Sequence, residues 1–417
     1  MGSAKYAGLR GDCNRFIIGR YEHQFENRMM KIVLFTHPSF TAHQSMPRYA
    51  NMLLNGMKER GHEVAVWSPK ARFYKLPILK SFKKWLGYLD QYFVFPLEVK
   101  LKLRNSSKDT LFVFADQALG PWVPLVKNRK HVVHCHDFLA LKSALGMVPE
   151  NPTSFTGKLY QIYIRRGFSK GKNFISISKK TRQDLHQLHL GEITNSKVCY
   201  NGLSRPFFSL PRESSRDLLE AKFNILLSEG YIMHIGGNQY YKNRQGVLEI
   251  YETWRNLYHT NIPLVLIGEE PSEELNLLHK KSPFKNDIHF ITNLSDEHVN
   301  NAYSGAICLL FPSLDEGFGW PIIEAMASGC PVITTNKAPM NEVGGMAAFY
   351  IEKKPADPAQ WQQWKEEGAK TIEKVLKLSR PQQTETIERS FTQSQKFTTE
   401  YFLDAVEVIY KEINQIV

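Results

Sequence analysis

Two acids, Glu316 and Glu324, stand eight positions apart in the stretch LDEGFGWPIIEAMASGCPVITTN, residues 314–336, with Gly317, Gly319 and Pro321 between them. Carboxylates accept hydrogen bonds from ligand hydroxyls, and glycines let a backbone close in on a ligand. Pro321 suits the first position of a helix. Trp320 stands where a capping Ser or Asp would sit and has no side-chain oxygen, which leaves the first helical amides open to an anion. The plain alternative is a loop acid at Glu316 and a favourable helix-start charge at Glu324. An isolated EGFG would be read that way. Two other stretches place chemistry at strand ends: His136 closes HVVHCHDF, and Lys242 follows the glycines of HIGGNQYYKN.

Such residues are useful only if strands and helices present them together. From Met30 onward, apolar strand-like runs alternate with helix-period segments: KIVLF, HEVAVW, TLFVFA, HVVHCHD, NFISIS and KVCYN. After NGLSRPFFSLPRESS the rhythm restarts with YIMHIGG, IPLVLIGEE, DIHFITN, AICLLFPS, PVITTN and AAFYIE. This alternation predicts parallel sheets covered by helices on both faces, in two Rossmann-like halves facing a cleft. The expected division is an extension at 1–29, a first domain at 30–208 and a second at 209–390. A C-terminal helix over about 391–417 is expected to cross back to the first domain. In that frame Glu316 lies at the carboxyl end of a strand, where open α/β sheets bind ligands.

The bulk numbers agree. A chain of 417 residues is expected to hold two domains, and 42% hydrophobic with 23% charged residues is globular composition. No apolar run approaches the roughly 20 residues that span a bilayer. The leader 1–29 has no continuous apolar stretch of signal-peptide length and reads as an upstream extension. The five cysteines have no C-x-x-C or zinc-like spacing, which fits a reducing cytosol. P-loop, G-x-S-x-G and G-x-G-x-x-G patterns are absent, so NTPase, serine hydrolase and dinucleotide dehydrogenase readings have no support. A net charge of +12 favours anionic partners.

Residues 70–104 break the pattern, with nine Lys/Arg against two acids and Trp85, Tyr88, Tyr92 and Phe93 interleaved. Two readings stand: a basic amphipathic surface for an anionic membrane, or a helical pair with its aromatics in the core. No nucleic-acid motif accompanies the segment, and no nucleic-acid partner is expected.

Taken whole, the run Glu316-Gly-Phe-Gly-Trp-Pro-Ile-Ile-Glu324-Ala-Met-Ala-x-Gly-x-Pro-Val resembles the E-x7-E signature of the family-4 retaining glycosyltransferases, which have the GT-B fold. The resemblance covers essentially all of residues 30–417 and is strongest from 231 to 345. It implies a retaining transfer of a sugar from a UDP- or GDP-sugar to an acceptor hydroxyl in glycan, polysaccharide or glycolipid synthesis. It further implies that no metal and no cofactor beyond the nucleotide-sugar co-substrate take part. Glu316, His136 and Lys242 match the positions expected to serve the reaction, with Lys242 offsetting charge on the departing diphosphate. Donor contacts fall on Gly237, Asn238, Lys242, Arg244, Leu294, Glu316, Gly317, Phe318, Gly319, Trp320 and Glu324, with Glu324 on the ribose.

The match departs from the family at two points. Asn238 stands where the family has an Arg, so either Arg244 compensates or binding rests on Lys242 and amides. The first strand-to-helix loop lacks the family's paired glycines and offers His43, Gln44 and Ser45 as polar replacements and acceptor contacts. Glu342, in the turn APMNEVGG, is expected to orient amides rather than touch substrate. The implied partners are a nucleotide sugar and a glycan or lipid-linked acceptor. The implied location is cytoplasmic, peripheral at the inner face of a membrane reached through residues 70–104. The alternatives are a nucleotide-sugar epimerase or phosphorylase of the same architecture, or a non-catalytic protein binding nucleotide or membrane.

Overall fold

The computed structural model describes residues 29–40 and 45–415. The extension before Met29, and the acceptor candidates His43 and Gln44, lie outside them. Ser45 opens the helix Ser45–Glu59.

Twelve strands form two all-parallel sheets. The first has the order β2-β1-β3-β4-β5-β6 from β1 (Lys31–Phe35), β2 (Glu63–Trp67), β3 (Leu111–Phe114), β4 (His131–Cys135), β5 (Asn173–Ser176) and β6 (Asn195–Val198). The second has the order β12-β11-β10-β7-β8-β9 from β7 (Ile232–Gly236), β8 (Leu264–Gly268), β9 (Ile288–Thr292), β10 (Cys308–Phe311), β11 (Val332–Thr335) and β12 (Phe349–Ile351). Every apolar run singled out in the sequence is a strand. β6 starts at Asn195, two residues before the run KVCYN, because Asn195 pairs with Asn173 of β5, and it ends at Val198.

The central strands of each sheet are buried on both faces, as parallel sheets require, while the edge strands β2 and β6 are partly exposed. Along β1 and β3, Ile32, Leu34, Leu111 and Val113 face one core, and Val33, Phe35, Phe112 and Phe114 face the other. β10 divides in the same way, Leu309 and Phe311 to one side and Cys308 and Leu310 to the other. Cys135, Cys199, Cys308 and Cys330 are free and buried, packed as small hydrophobes.

The chain crosses between the lobes twice, and the crossings touch. Leu203 donates its amide to Phe397 O over 2.9 Å. The returning helix is shorter than expected: residue 391 lies in the last turn of a second-lobe helix, Arg380–Ser394, and the return begins with Thr399–Gln415. Thr398 makes the break, extended at ψ 153° and accepting the Tyr401 amide at its hydroxyl. Phe402, Leu403, Val406, Ile409, Tyr410 and Ile413 of that helix complete the core outside β1 and β3. Tyr410 and Tyr49 hydroxyls sit 2.7 and 2.6 Å from the two ring nitrogens of buried His134, whose pKa burial pushes down to about 3. This lobe is therefore finished by residues more than 200 positions away.

Candidate active site

The carboxyl ends of β4 and β10 meet at the interface between the lobes. After β10 the chain turns through Asp315, Glu316 and Gly317, and Gly319, at φ 107°, caps the helix Trp320–Ala327. This differs from the sequence expectation by one residue. Trp320 is the first helical residue and Pro321 the second, and no acid lies in the first turn. Glu324 is therefore the fifth helical residue rather than the fourth, just past the first turn.

Glu316 is buried, and its Oε1 lies 2.8 Å from Lys242 Nζ. Burial pushes the carboxyl above the ordinary range, and the Lys242 charge and hydrogen bond pull against it. Lys242 comes from the turn after β7 and lies over the Phe311 and Tyr241 rings, at 5.1 and 5.5 Å from their centres. The Lys242 ammonium is thus held between two rings and a carboxylate.

Glu324 accepts a 2.8 Å hydrogen bond from Tyr303 Oη. Burial raises its pKa, while Tyr303, Arg205, Arg48 and Lys242 oppose the rise. The two arginines meet across the interface on one acid, at 2.6 Å (Arg205) and 3.1 Å (Arg48) from Asp296 Oδ1. Tyr303, Arg205, Arg48 and Asp296 had no sequence signal, because only the fold brings them beside Glu324.

The substitution of Asn for the family's Arg at 238 has a structural counterpart. Asn238 donates its amide to Glu269 Oε2 at 2.9 Å and its side chain to Glu270 O at 2.7 Å. Arg244 is buried beneath this loop, donating Nη1 to Asn238 Oδ1 at 2.6 Å and Glu269 O at 3.0 Å, over the Phe290 ring. Arg244 braces the Gly237–Asn238 turn from behind, leaving Lys242 as the cation on Glu316.

His136 is also buried. Its Nε2 lies 2.8 Å from Ala115 O, and since a carbonyl only accepts, that nitrogen carries the proton. Its ring stands edge-on to Tyr49 at 4.4 Å. The neighbouring Asp137 accepts the Leu139 amide at 3.0 Å. Nearby Asp116 would be pushed up by burial, but the His37 contact at 2.8 Å and the His136 charge outweigh this and hold it at about 2.

The lobes pack tightly at Gly317. A Cβ built there would lie 2.2 Å from His136 O, so the loop beside Glu316 packs directly on the strand end that carries His136. Other proposed contacts face inward. Phe318 is buried and packs its ring with Tyr200 and Phe397. Trp320 donates its indole N–H to Gly202 O at 3.1 Å. Leu294, after β9, has its side chain against the second-lobe core. Glu342 accepts the Lys179 and Lys180 amides at 2.8 and 3.0 Å and so does orient amides, those of a first-lobe helix.

Two parallel six-stranded α/β lobes with strand ends meeting across a cleft define a GT-B protein. Consistent with this, the structure superposes on Anabaena HepE crystallised with UDP and glucose (TM-score 0.64, 16% identity, 91% of this chain and 98% of that one). It also superposes on WaaG, a glycosyltransferase involved in lipopolysaccharide biosynthesis (TM-score 0.63, 16% identity, 93% and 100%). Residues 215–388 match the family profile "Glycosyl transferases group 1" and residues 46–205 match "Glycosyltransferase Family 4". The chain belongs to the group 1, family-4-like glycosyltransferases. Among curated relatives, it is 26% identical to the O-antigen chain mannosyltransferase RfbU of Salmonella typhimurium over 51% of this chain and 55% of that one. It is 30% identical to O-antigen chain mannosyltransferase B of Escherichia coli over 46% and 51%. The chain thus spans about half the length of these relatives.

Proposed function

We propose that this protein transfers a sugar, with retention of configuration and without a metal, from a UDP- or GDP-sugar to an acceptor hydroxyl in polysaccharide or glycolipid assembly. One observation carries the reading: the buried Glu316–Lys242 pair at the carboxyl end of the second sheet, pressed against His136 of the first. In this account Lys242 turns from Glu316 to the donor diphosphate, and Glu316 is freed to hold sugar hydroxyls. Glu324 holds the ribose. The amides of Gly237 and Gly319 approach the phosphates, and His136 lines the far side of the sugar.

The step balances without a protein nucleophile. The bond from the anomeric carbon to the phosphate oxygen breaks, the acceptor oxygen bonds to the same face, and its proton passes to the departing phosphate. The protein's share is to position both substrates and to oppose charge on the leaving group. The names of the O-antigen mannosyltransferase relatives, and a structural neighbour crystallised with UDP and glucose, support the donor and acceptor classes.

The acceptor class connects to the basic segment. Its two acids are used internally: Asp90 accepts the amides of Arg72, Phe73 and Tyr74, and Glu98 pairs with Arg72. Tyr88 and Tyr92 pack on Tyr160, as the core reading expected. Phe82, Trp85, Phe93 and Leu101 stand 57, 59, 67 and 60% exposed. These belong to one stripe with Leu89 and Leu97 along Lys80–Leu89, a π-helical turn at Asp90–Val94, and Phe95–Arg104. A four-residue spacing drifts around an α-helix, and the extra residue of the π turn draws Phe93, Leu97 and Leu101 back into line. An aromatic stripe rimmed by lysines fits the cytoplasmic face of an anionic membrane bearing a lipid-linked acceptor. Among the described residues, no helix is long and apolar enough to cross a membrane.

A thermal-shift screen of nucleotides tests the donor assignment. UDP or GDP at about 100 times its Kd should stabilise the protein by about 2.7 kcal/mol. If no nucleoside diphosphate or nucleotide sugar raises the midpoint, the assignment fails.

A further inference from the structure

The start of the first-lobe helix Lys179–Leu188 grips the second lobe at the backbone of residues 315–317. Lys180 is largely buried, and its ammonium meets three acceptors: Asp315 Oδ1 at 2.7 Å, Asp184 Oδ2 at 3.0 Å and Glu316 O at 3.3 Å. Two of these contacts are ion pairs with carboxylates and the third is a hydrogen bond to a backbone carbonyl, so the ammonium is held wholly by protein groups. Behind it, Ser178 Oγ donates to Gly317 O at 2.9 Å, and Thr181 Oγ1 lies 3.2 Å from Gly317 O and 3.1 Å from His136 O. Glu342 holds the first two amides of the same helix, so the helix start is already occupied by an acid of the other lobe.

We propose that Lys180 is a positioning residue for sugar transfer: acting from the first lobe with Ser178 and Thr181, it fixes the backbone of Asp315–Glu316–Gly317 and thereby the aim of the Glu316 carboxylate. The inference rests on the reading of Glu316 as the group that holds the donor sugar. Lys180 touches no substrate in this account. It couples docking of the lobes to completion of the site, because its anchor Asp184 is on the first lobe and its targets are on the second. Asp184 is itself buried and paired with Lys142, which follows the His136 strand end by six residues. Both strand-end loops of the cleft are thus tied to one acid.

The test is Lys180→Met, with Lys180→Arg and Ser178→Ala/Thr181→Val as companions should the methionine variant fold poorly. A loop released by the order of 1 Å should lower kcat by about 100-fold while nucleoside diphosphate affinity stays within about two-fold. Lys180→Arg, which keeps the charge, should recover part of the loss. In a Glu316→Gln background, Lys180→Met should cost less than about three-fold more, because both act through one carboxylate. Additive losses, or an equal fall in nucleotide affinity, would overturn the proposal.

Amide hydrogen exchange gives a readout independent of turnover: peptides covering 315–319 should exchange faster in Lys180→Met than in wild type, with the β7–β9 strands unchanged. Unaltered exchange there overturns the clamp even if transfer is intact. Faster exchange in a protein that turns over no nucleotide sugar would retain the contact and reject the transfer reading instead.

Discussion

Gly317→Ala is the smallest change that should separate docking of the lobes from binding of the nucleotide. Gly317 is not among the glycines with positive φ, so alanine can adopt its backbone and the effect is steric. The new Cβ would lie 2.2 Å from His136 O and 3.1 Å from Asp137 Cβ. The carbonyl belongs to the buried end of a central strand and has little freedom, so the loop must retreat by about 1 Å to reach ordinary contact. Glu316 is the preceding residue and moves with it. A displacement of that size at a positioning group is expected to lower kcat by about 100-fold, equivalent to about 2.7 kcal/mol in the barrier. The stability cost of overpacking one methyl group is about 1–3 kcal/mol, visible as a lower unfolding midpoint. Lys242 and Glu324 stay on the second lobe, so calorimetric affinity for the nucleoside diphosphate should change by less than about three-fold. The decisive pair of measurements is steady-state kcat with saturating donor and nucleotide titration of the same preparation. A variant retaining kcat within about three-fold of wild type would refute the reasoning, since it would mean the working enzyme does not bring Gly317 against His136.

Further outcomes follow from other contacts. Glu324→Gln should weaken nucleotide binding by about ten-fold with a smaller effect on kcat, the reverse of a change at Glu316, as calorimetry and initial rates would read. Trp85→Ser/Phe93→Ser should abolish sedimentation with anionic liposomes at low salt; wild-type binding that ignores salt or lipid charge would count against the membrane surface. Asp116 has a folded pKa of about 2, depressed from an ordinary 3.8, so its contribution is present above pH 4 and lost as pH falls towards 2. Urea titrations of wild type and Asp116→Asn should therefore differ by a pH-dependent part of about 2 kcal/mol near pH 5, where the carboxylate is ionised and its histidine neighbours are charged, that shrinks below pH 4.

The central strands were visible in the sequence because parallel strands buried on both faces are continuous apolar runs, whereas the edge strands β2 and β6 are only partly buried and β6 is mostly polar. The E-x7-E stretch was legible for a different reason: its glycines, proline and acids are local turn and helix-start chemistry. What escaped was whatever depends on a partner distant in the chain. Lys180 reads as one lysine of KKTRQDL until Asp315 is folded against it. Arg244 resembled a spare cation until Asn238 and the Glu269 carbonyl were found to hold it. The returning helix was placed eight residues early because Arg380–Ser394 and Thr399–Gln415 carry similar helical periodicity, and the break rests on the extended backbone of Thr398. The basic segment was divided: its tyrosines are packed and its stripe from Phe82 to Leu101 is exposed, a distinction that the π turn sets and that composition does not carry.

The account's central claim is that sugar leaves a nucleotide in the cleft over Glu316. It is tested most directly by following nucleoside diphosphate release from a panel of UDP- and GDP-sugars, with lipid-linked and glycan acceptors, for wild type and Glu316→Gln side by side. The account predicts release from at least one donor by wild type and a loss of about 100-fold or more in Glu316→Gln, with nucleotide affinity retained. Wild-type protein that releases nucleotide from no donor, or a Glu316→Gln variant that releases it as fast as wild type, would contradict it.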